Sequence, residues 1–310
     1  MATLPTDFSV TSTRSDPIPN PTLPIDTPTA KTPLAGEVVP APSSITTSIT
    51  DDTTPPFALN HARILYENQL EAYNSLTVSG GTNGNYTIVP NTWQRWSFTA
   101  TGTDAIQYDM GTTFSADTIC IGAHNLAGAT IEVYYDPDTA PGGFILLDTL
   151  TPTDNKPMMI HLSSAVTYGR LQINISGLSG SRYIGYISAG IALQMQRPFF
   201  GGHTPITDGD VTRYYSNETE SGEIIGQQMR SQGFQTSAEW KNIDDTWYRT
   251  YFAPFKQAAK TRPFFFAWNL LQYPDDIGFC RISQDISAPY SGQLNLRSIS
   301  MTMLGHGNEF

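Results

Sequence analysis

His124 and Asn125 stand together where an apolar segment, "TICIGA", gives way to a short polar turn. A histidine in this position could bind a metal ion, act as a general base or serve as a turn residue. No second histidine stands at ligand spacing, and the sequence contains neither a G-x-S-x-G nor an H-E-x-x-H motif. We therefore predict no catalytic residue, and we interpret His124 and Asn125 either as structural loop residues or as contacts for a ligand.

Three adjacent acidic pairs raise the question of a glycosidase, which needs two carboxylates facing each other across a sugar. Adjacent residues do not provide that geometry, and a simpler explanation exists for each pair, as part of a tail, a helix cap or a turn: Asp51-Asp52, Asp244-Asp245 and Asp275-Asp276. Asp136 and Asp138, in "DPDTAPGG", could together meet a Ca²⁺ ion. Calcium is the one cofactor that these residues suggest, and we predict that the protein is not an enzyme.

Two tryptophans, Trp93 and Trp96, lie close together in "NTWQRWSF". An exposed indole ring stacks on the apolar face of a sugar, whereas a buried one fills the core of a β-sandwich. Both interpretations are open for each tryptophan. Together with His124 and Asn125, they are the candidate ligand-binding residues.

The charge of the chain excludes one large class of partners. Its 310 residues carry a formal net charge of -11, and only 15% of them are charged. No run of lysine and arginine offers a counter-charge to phosphates, so we expect no nucleic-acid partner.

No apolar segment approaches the roughly 20 residues of a membrane span, and the start "MATLPTDFSV" lacks the features of a secretory signal. We expect synthesis in a cytoplasm, with Cys120 and Cys280 reduced.

Proline content marks the first of three parts. Residues 1–56 contain eleven of the 22 prolines, which prevent a continuous helix or a central strand. This segment is either a flexible tail or an extended arm that becomes ordered along a neighbouring subunit.

Alternating apolar residues define the second part, 57–196. Segments such as "TIEVYYD" and "RLQINIS" place every second side chain on one face, and turn-forming segments separate them. Many short antiparallel strands without a long helix predict a jelly-roll β-sandwich.

The third part, 197–310, combines strands with one helix. "GEIIGQQMRS" and "GFQTSAEW" are expected to form a hairpin. In "DDTWYRTYFAPFKQAAK", Asp244 or Asp245 can cap a helix with an apolar stripe, and Pro254 should interrupt it: Trp247, Tyr251, Phe255 and Ala258. Three strands follow, which gives an α+β domain with the helix packed on a sheet. The whole chain is predicted to be mainly β.

Two resemblances can be stated on these segments. The order "WQRWSFTA", "DAIQYDMGTTFSADTICIGAHNL" and "TIEVYYD" resembles a galactose-binding-like sandwich of the discoidin type. That family includes carbohydrate binders, some of which hold Ca²⁺ in a loop, and purely structural modules. The segments "PFFFAW", "YPDDIGFCRI" and "SISMTMLG" resemble the tail-tube and distal-tail proteins of tailed bacteriophages, which form rings by pairing strands between subunits.

The second resemblance implies a structural protein of a phage virion, made in the host cytoplasm. We expect a minor or distal tail component whose C-terminal domain forms a ring and whose sandwich domain decorates that ring. Its expected partners are copies of itself and other virion proteins. We expect the hairpin and the last strand to be the pairing edges, with Ile225, Ser300 and Thr302 as assembly residues. Two alternatives stay open: a module that binds a host-surface glycan, and a decoration protein of the capsid or neck.

Overall fold

A computed structural model of the chain describes residues 55–100, 102–139, 142–199, 203–292 and 295–306. The predicted arm, residues 1–56, lies outside this part of the chain except for its last two residues. In the described residues, strands dominate, and the helical structure is one longer segment, Asp245–Ala258, and three short 3-10 turns, so the predicted mainly β class is confirmed. The strands in chain order are β1 Arg63–Leu65, β2 Ser75–Val78, β3 Trp96–Ala100, β4 Asp104–His124, β5 Thr130–Asp136, β6 Ile145–Leu150, β7 Met158–Ser176, β8 Gly180–Gly190, β9 Leu193–Gln194, β10 Asp210–Glu218, β11 Ile224–Asp244, β12 Phe264–Ala267, β13 Ile277–Ile282, β14 Tyr290–Ser291 and β15 Leu296–His306.

The sandwich is built from one strongly bent antiparallel sheet with the order β3-β8-β4-β7-β5-β6, and β2 pairs with β4. The long strands β4 and β7 are the reason that one sheet can enclose a core. Register shifts between Asp109 and Phe114 and between Ala116 and Thr118 mark bulges in β4. Before these bulges β4 pairs with β2 and β7, and after them it pairs with β8 and β7. Bulges of this kind let a strand turn a corner between two packed layers.

A second antiparallel sheet has the order β10-β11-β15-β13-β12-β1-β9, and β14 pairs with β15. It includes two strands from the ends of the predicted sandwich segment. β1 pairs with β12 and β9 pairs with β1, so both belong to the sheet of the C-terminal segment. The two ends of the 57–196 segment are thereby anchored in the second sheet, while the boundaries 1–56, 57–196 and 197–310 stay predictions.

The helical segment covers one face of the second sheet. It consists of an α turn, Asp245–Trp247, a π segment, Tyr248–Phe252, and an α segment, Ala253–Ala258. Asp244 caps it as predicted, since its Oδ1 accepts the Trp247 N–H at 2.9 Å. The π segment ends two residues before Pro254, which has no N–H to donate. No helix among the described residues is long and apolar enough to cross a membrane.

Large side chains of the helix and sheet form a common core. Trp247 and Phe255 of the predicted stripe are buried, Tyr251 and Ala258 are partly covered, and Phe252 is buried without having been predicted. They pack with Trp240, Phe264, Phe266, Ile299, Met301 and Met303. The last strand therefore turns its alternate residues inward, as its sequence pattern indicates.

Two expectations for the second sheet are wrong. The predicted hairpin "GEIIGQQMRS"/"GFQTSAEW" is instead the single continuous strand β11, and its hairpin partner is β10. The chain turns at residues 219–223, where the Gly222 φ is 85°. The last strand, β15, is not a free edge either, because it lies between β11 and β13.

The two sheets pack against each other through a third apolar cluster. Tyr186 of β8 stacks on Phe265 of β12 with ring centroids 5.8 Å apart, and it also contacts Phe279 of β13 at 5.3 Å. Cys120 joins this cluster, whereas Cys280 belongs to the core under the helix, and both thiols are free and buried. A second link between the sheets is polar and is centred on Arg63 of β1 and His161 of β7.

Candidate functional site

His124 is a buried structural residue. Its Nε2 lies 2.7 Å from the Lys156 carbonyl oxygen, and its Nδ1 accepts the Leu126 N–H at 3.3 Å. A carbonyl oxygen can only accept, so the proton must reside on Nε2 and the ring is neutral. Burial lowers the pKa of His124 to about 4. The ring therefore holds the loop after β4 in place, and a ligand contact at His124 stays a prediction.

The burial of His124 predicts an acid-sensitive fold. Because its pKa is about 4 in the folded chain and about 6.5 when unfolded, the unfolded state takes up more protons between these values. Stability should be fully present above pH 6.5 and fall by about 3 kcal/mol as the pH drops to 4. Urea titrations of the wild type and of His124→Gln would measure this. A variant with the same slope of stability against pH as the wild type would contradict the assignment.

Asn125 is also occupied by structural contacts, but it is only half-buried. Its side-chain oxygen accepts the Tyr183 N–H at 2.7 Å, and its Nδ2 donates to the Ser181 carbonyl oxygen at 3.3 Å. The Asn125 carbonyl oxygen accepts from Arg182 at 3.2 Å. These bonds fix the start of β8 against the turn after β4.

The two tryptophans have opposite environments. Trp96 is fully buried in the sandwich core, where it packs on Phe98 and donates its indole N–H to the Gly80 carbonyl oxygen at 2.8 Å. Trp93 is 85% exposed. Of the two interpretations left open by the sequence, the core explanation holds for Trp96 and fails for Trp93.

The loop that carries Trp93 is held rigidly by its own side chains. The Asn91 Oδ1 accepts the N–H groups of Trp93 and Gln94 at 3.0 and 2.7 Å, and the Asn91 Nδ2 donates to the Gln94 side chain at 2.9 Å. An asparagine that bonds forward in this way imposes a tight turn. Arg95 donates to the Thr92 carbonyl oxygen at 3.1 Å. Its guanidinium lies 4.1 Å above the centre of the Tyr183 ring.

The loop also forms one wall of a cleft. Its volume is about 580 Å³. Its walls are the loop residues Pro90–Thr92, the chain after the helix at Ala259–Pro263, the end of β13 at Phe279–Ile282, and Leu304 with Gly305 of β15. The cleft therefore lies where the sandwich meets the second sheet.

The two predicted calcium ligands, Asp136 and Asp138, have different contacts. The Asp136 carboxylate is buried and accepts from the backbone N–H groups of Asp138 and Gly142 and from the guanidinium of Arg170. Burial acts to raise the pKa of Asp136, but these donors together hold it below its usual value. A calcium ion would have to displace Arg170 from this carboxylate. The contacts favour a structural role for Asp136, and calcium binding at Asp136 and Asp138 stays a prediction.

The predicted assembly residues occupy different surroundings. The backbone groups of Ser300 pair with Ser287, and the Thr302 carbonyl oxygen accepts the Ser283 N–H, so both lie inside the sheet. Ile225 is 69% exposed on the outer part of the β10–β11 hairpin, at a register shift. Their predicted role in assembly is not tested by these contacts. The edge position expected for Ser300 and Thr302 is wrong, because neighbouring segments lie on both sides of β15.

Sequence reasoning missed Arg95, Tyr183 and the whole cleft. The position of Arg95 between two tryptophans in "WQRW" was a usable signal, since arginine often stacks on aromatic rings next to a binding surface. The cleft gave no such signal, because its wall at Pro90–Thr92 is more than 160 residues away in the chain from its other walls.

Comparison with known proteins finds likeness over part of the chain. No protein-family model matches it, and no curated protein matches it. Among solved structures, chitosan-binding module 1 of a chitosanase/glucanase from Paenibacillus sp. IK-5 aligns at 16% identity and a TM-score of 0.33, over 40% of this chain and 98% of that chain. A CBM32 module of AlyQ in complex with 4,5-unsaturated mannuronic acid aligns at 18% identity and 0.31, over 38% and 94%.

A third structure is a GH29 fucosidase from Ruminococcus gnavus in complex with fucose. It aligns at 18% identity and a TM-score of 0.35, over 41% of this chain. The chain matches only 27% of the length of that enzyme. At these identities and TM-scores the alignments describe a partial likeness, and no family membership follows from them.

Proposed function

We propose that this protein binds carbohydrate and that Trp93 is its main contact. The observation that carries the proposal is the 85% exposure of this indole ring on a loop fixed by Asn91. Large aromatic rings are usually covered in a folded protein, because removing them from water is favourable. A ring that is both exposed and held in position is suited to a ligand that covers it.

The chemistry around Trp93 suits a sugar better than a purely apolar ligand. The C–H face of a pyranose can lie on the indole, while its hydroxyl groups need polar partners at the edge of the ring. Thr92, Gln94 and Arg95 are the neighbours of Trp93 in the same loop and supply hydroxyl, amide and guanidinium groups. Because the loop is already fixed, little conformational entropy is lost when the sugar binds.

The test is the substitution Trp93→Ala. We expect the affinity for a retained polysaccharide to fall by about 30-fold, as for the central aromatic anchor of an interface. The free energy of unfolding should change by less than about 0.5 kcal/mol, because the ring packs on little else. A glycan array identifies the ligand, affinity electrophoresis measures retention, and urea unfolding measures stability.

The matched control is Leu271→Ala, which removes another side chain that is 67% exposed and lies outside the Trp93 loop. This variant should bind like the wild type. Unchanged retention of Trp93→Ala, or a wild-type protein that no glycan on the array retains, would refute the proposal.

A structural role in a phage virion is the second candidate, and the β10–β11 hairpin favours it. Residues 224–232 of β11 pair with β10 alone among the described strands. Several large apolar side chains on this hairpin are exposed: Tyr214, Tyr215, Ile225 and Met229. Such a surface suits contact with copies of itself or with other virion proteins, following synthesis in a host cytoplasm. Negative-stain images of the full chain showing rings would support this role, and monomers at micromolar concentration would contradict it.

A further inference from the structure

Three cations from two parts of the chain line the cleft beside the Trp93 loop. Lys260 and Arg262 follow the end of the helix, and Arg281 is at the end of β13. The Arg262 guanidinium donates to both carboxylate oxygens of Glu71, at 3.1 and 3.2 Å. Lys260 and Arg281 are exposed and form no ion pair with any carboxylate in the described part of the chain. Among the described residues, the cleft therefore has two positive charges, Lys260 and Arg281, without a carboxylate partner.

The direction of Arg281 follows from the alternation of β13. Phe279 and Arg281 are two residues apart, so their side chains lie on the same face of the strand. Phe279 packs against Tyr186 of the sandwich, which places Arg281 at the open border of the same interface. Its cross-strand partner Leu304 also lines the cleft.

A simpler explanation covers only part of this arrangement. A lysine after the end of a helix interacts favourably with the partial negative charge of the last carbonyl groups. Arg281 has no such helix end on its strand. The chain has only 17 lysines and arginines and a net charge of -11, so it repels anions over most of its surface. Three of these 17 lysines and arginines line one cleft of about 580 Å³, so the cleft is a positive site on a negatively charged protein.

We infer that this cleft binds the carboxylate groups of an acidic polysaccharide whose neighbouring sugar stacks on Trp93. The inference rests on the proposed function and specifies its ligand class. The loop Pro90–Thr92 forms one wall of the cleft, and Trp93 is the next residue along the chain, so one oligosaccharide can reach both. Guanidinium and ammonium groups bind carboxylates through charge-assisted hydrogen bonds. The volume is in the range of sites for small organic ligands.

The central comparison is between two polysaccharides that share a backbone and differ in the charge of their carboxyl groups. Polygalacturonate and its fully methyl-esterified form share one backbone, and alginate and hyaluronan extend the carboxylated set. We expect the full-length wild type to bind at least one carboxylated polymer and, where it binds polygalacturonate, to bind the ester about tenfold more weakly. Arg281→Gln and Lys260→Gln should each weaken binding of the acidic form about threefold to tenfold.

The matched control is Arg213→Gln, which removes one exposed charge from the β10–β11 hairpin and should leave binding unchanged. Equal effects of Arg213→Gln and Arg281→Gln would show a general charge effect and overturn the inference. Binding of polyglutamate or single-stranded DNA as strong as that of the acidic polysaccharides would also overturn it.

Failure of the inference and failure of the proposed function give different results. If Trp93→Ala abolishes binding of a neutral glycan while both cation variants bind like the wild type, the inference is wrong and the proposed function stands. If the cation variants lose polygalacturonate and Trp93→Ala does not, the cleft binds the acid but Trp93 is not the sugar contact. No retention by any carboxylated polymer refutes the inference.

Discussion

Replacing Arg63 with methionine is expected to lower the free energy of unfolding by about 3 to 5 kcal/mol. Arg63 is 1% exposed and makes four hydrogen bonds through three of its nitrogens. Its terminal nitrogens donate to the carbonyl oxygens of Phe57, Ala58 and His61 at 2.6 to 3.1 Å. Methionine fills much of the same space but leaves these acceptors without a donor.

The fourth bond of Arg63 extends the effect into the sandwich. Its Nε donates to the His161 Nε2 at 3.1 Å, so the histidine proton must lie on Nδ1. That proton is directed at the Thr118 hydroxyl at 2.8 Å, and the hydroxyl in turn donates to Asp117 at 2.8 Å. Burial and then the charge of Arg63 lower the pKa of His161 to about 4. A continuous series of hydrogen bonds thus joins β1 of the second sheet to β4 and β7 of the sandwich.

Urea unfolding of Arg63→Met beside Arg63→Lys would measure this contribution. Lysine keeps the charge but lacks the planar fork that reaches all four acceptors, so we expect an intermediate loss. Arg213→Met, on the exposed face of β10, is the control and should change stability by less than about 0.5 kcal/mol. A loss below about 1 kcal/mol for Arg63→Met would mean that the series of bonds contributes little to holding the sheets together.

Proline at position 300 is expected to destabilise the fold by about 3 kcal/mol or more, whatever its effect on assembly. The Ser300 N–H donates to the Ser287 carbonyl oxygen at 2.9 Å, and proline has no N–H. On its other side β15 pairs with β11, where Ser300 lies opposite Glu239. Proline is tolerated in sheets mainly on edge strands and at bulges, and β15 is neither.

Ile225→Pro is the matched comparison. Ile225 is the extra residue at a register shift of the exposed hairpin, between the pairs Asn217–Gly226 and Glu218–Ile224. We expect its stability to change by less than about 1 kcal/mol, because bulges accept proline. Circular dichroism melts and light scattering separate the two effects. If Ser300→Pro melts like the wild type and changes only the oligomeric state, β15 does not have the pairing described above.

The sequence determined the features that depend on neighbouring residues. Alternation in "SISMTMLG" placed Ile299, Met301 and Met303 on the core face, and they are buried there. The helix cap at Asp244 could also be predicted, because its hydrogen bond joins residues only three positions apart in the chain. The mainly β class followed from the same alternation, since successive side chains of a strand point to opposite faces by covalent geometry.

Strand pairing and exposure were decided by the tertiary structure. Alternation specifies which face of a strand is buried but not which strand lies beside it, so the pattern predicts an edge at β15 and a hairpin within β11, and the structure shows neither. Trp93 and Trp96 occur in the same segment, yet one is exposed and the other buried, because only Trp96 lies on a strand facing the sandwich core. The cleft with Lys260 and Arg281 exists only because two sheets pack together, and such long-range contacts leave no local pattern in the chain.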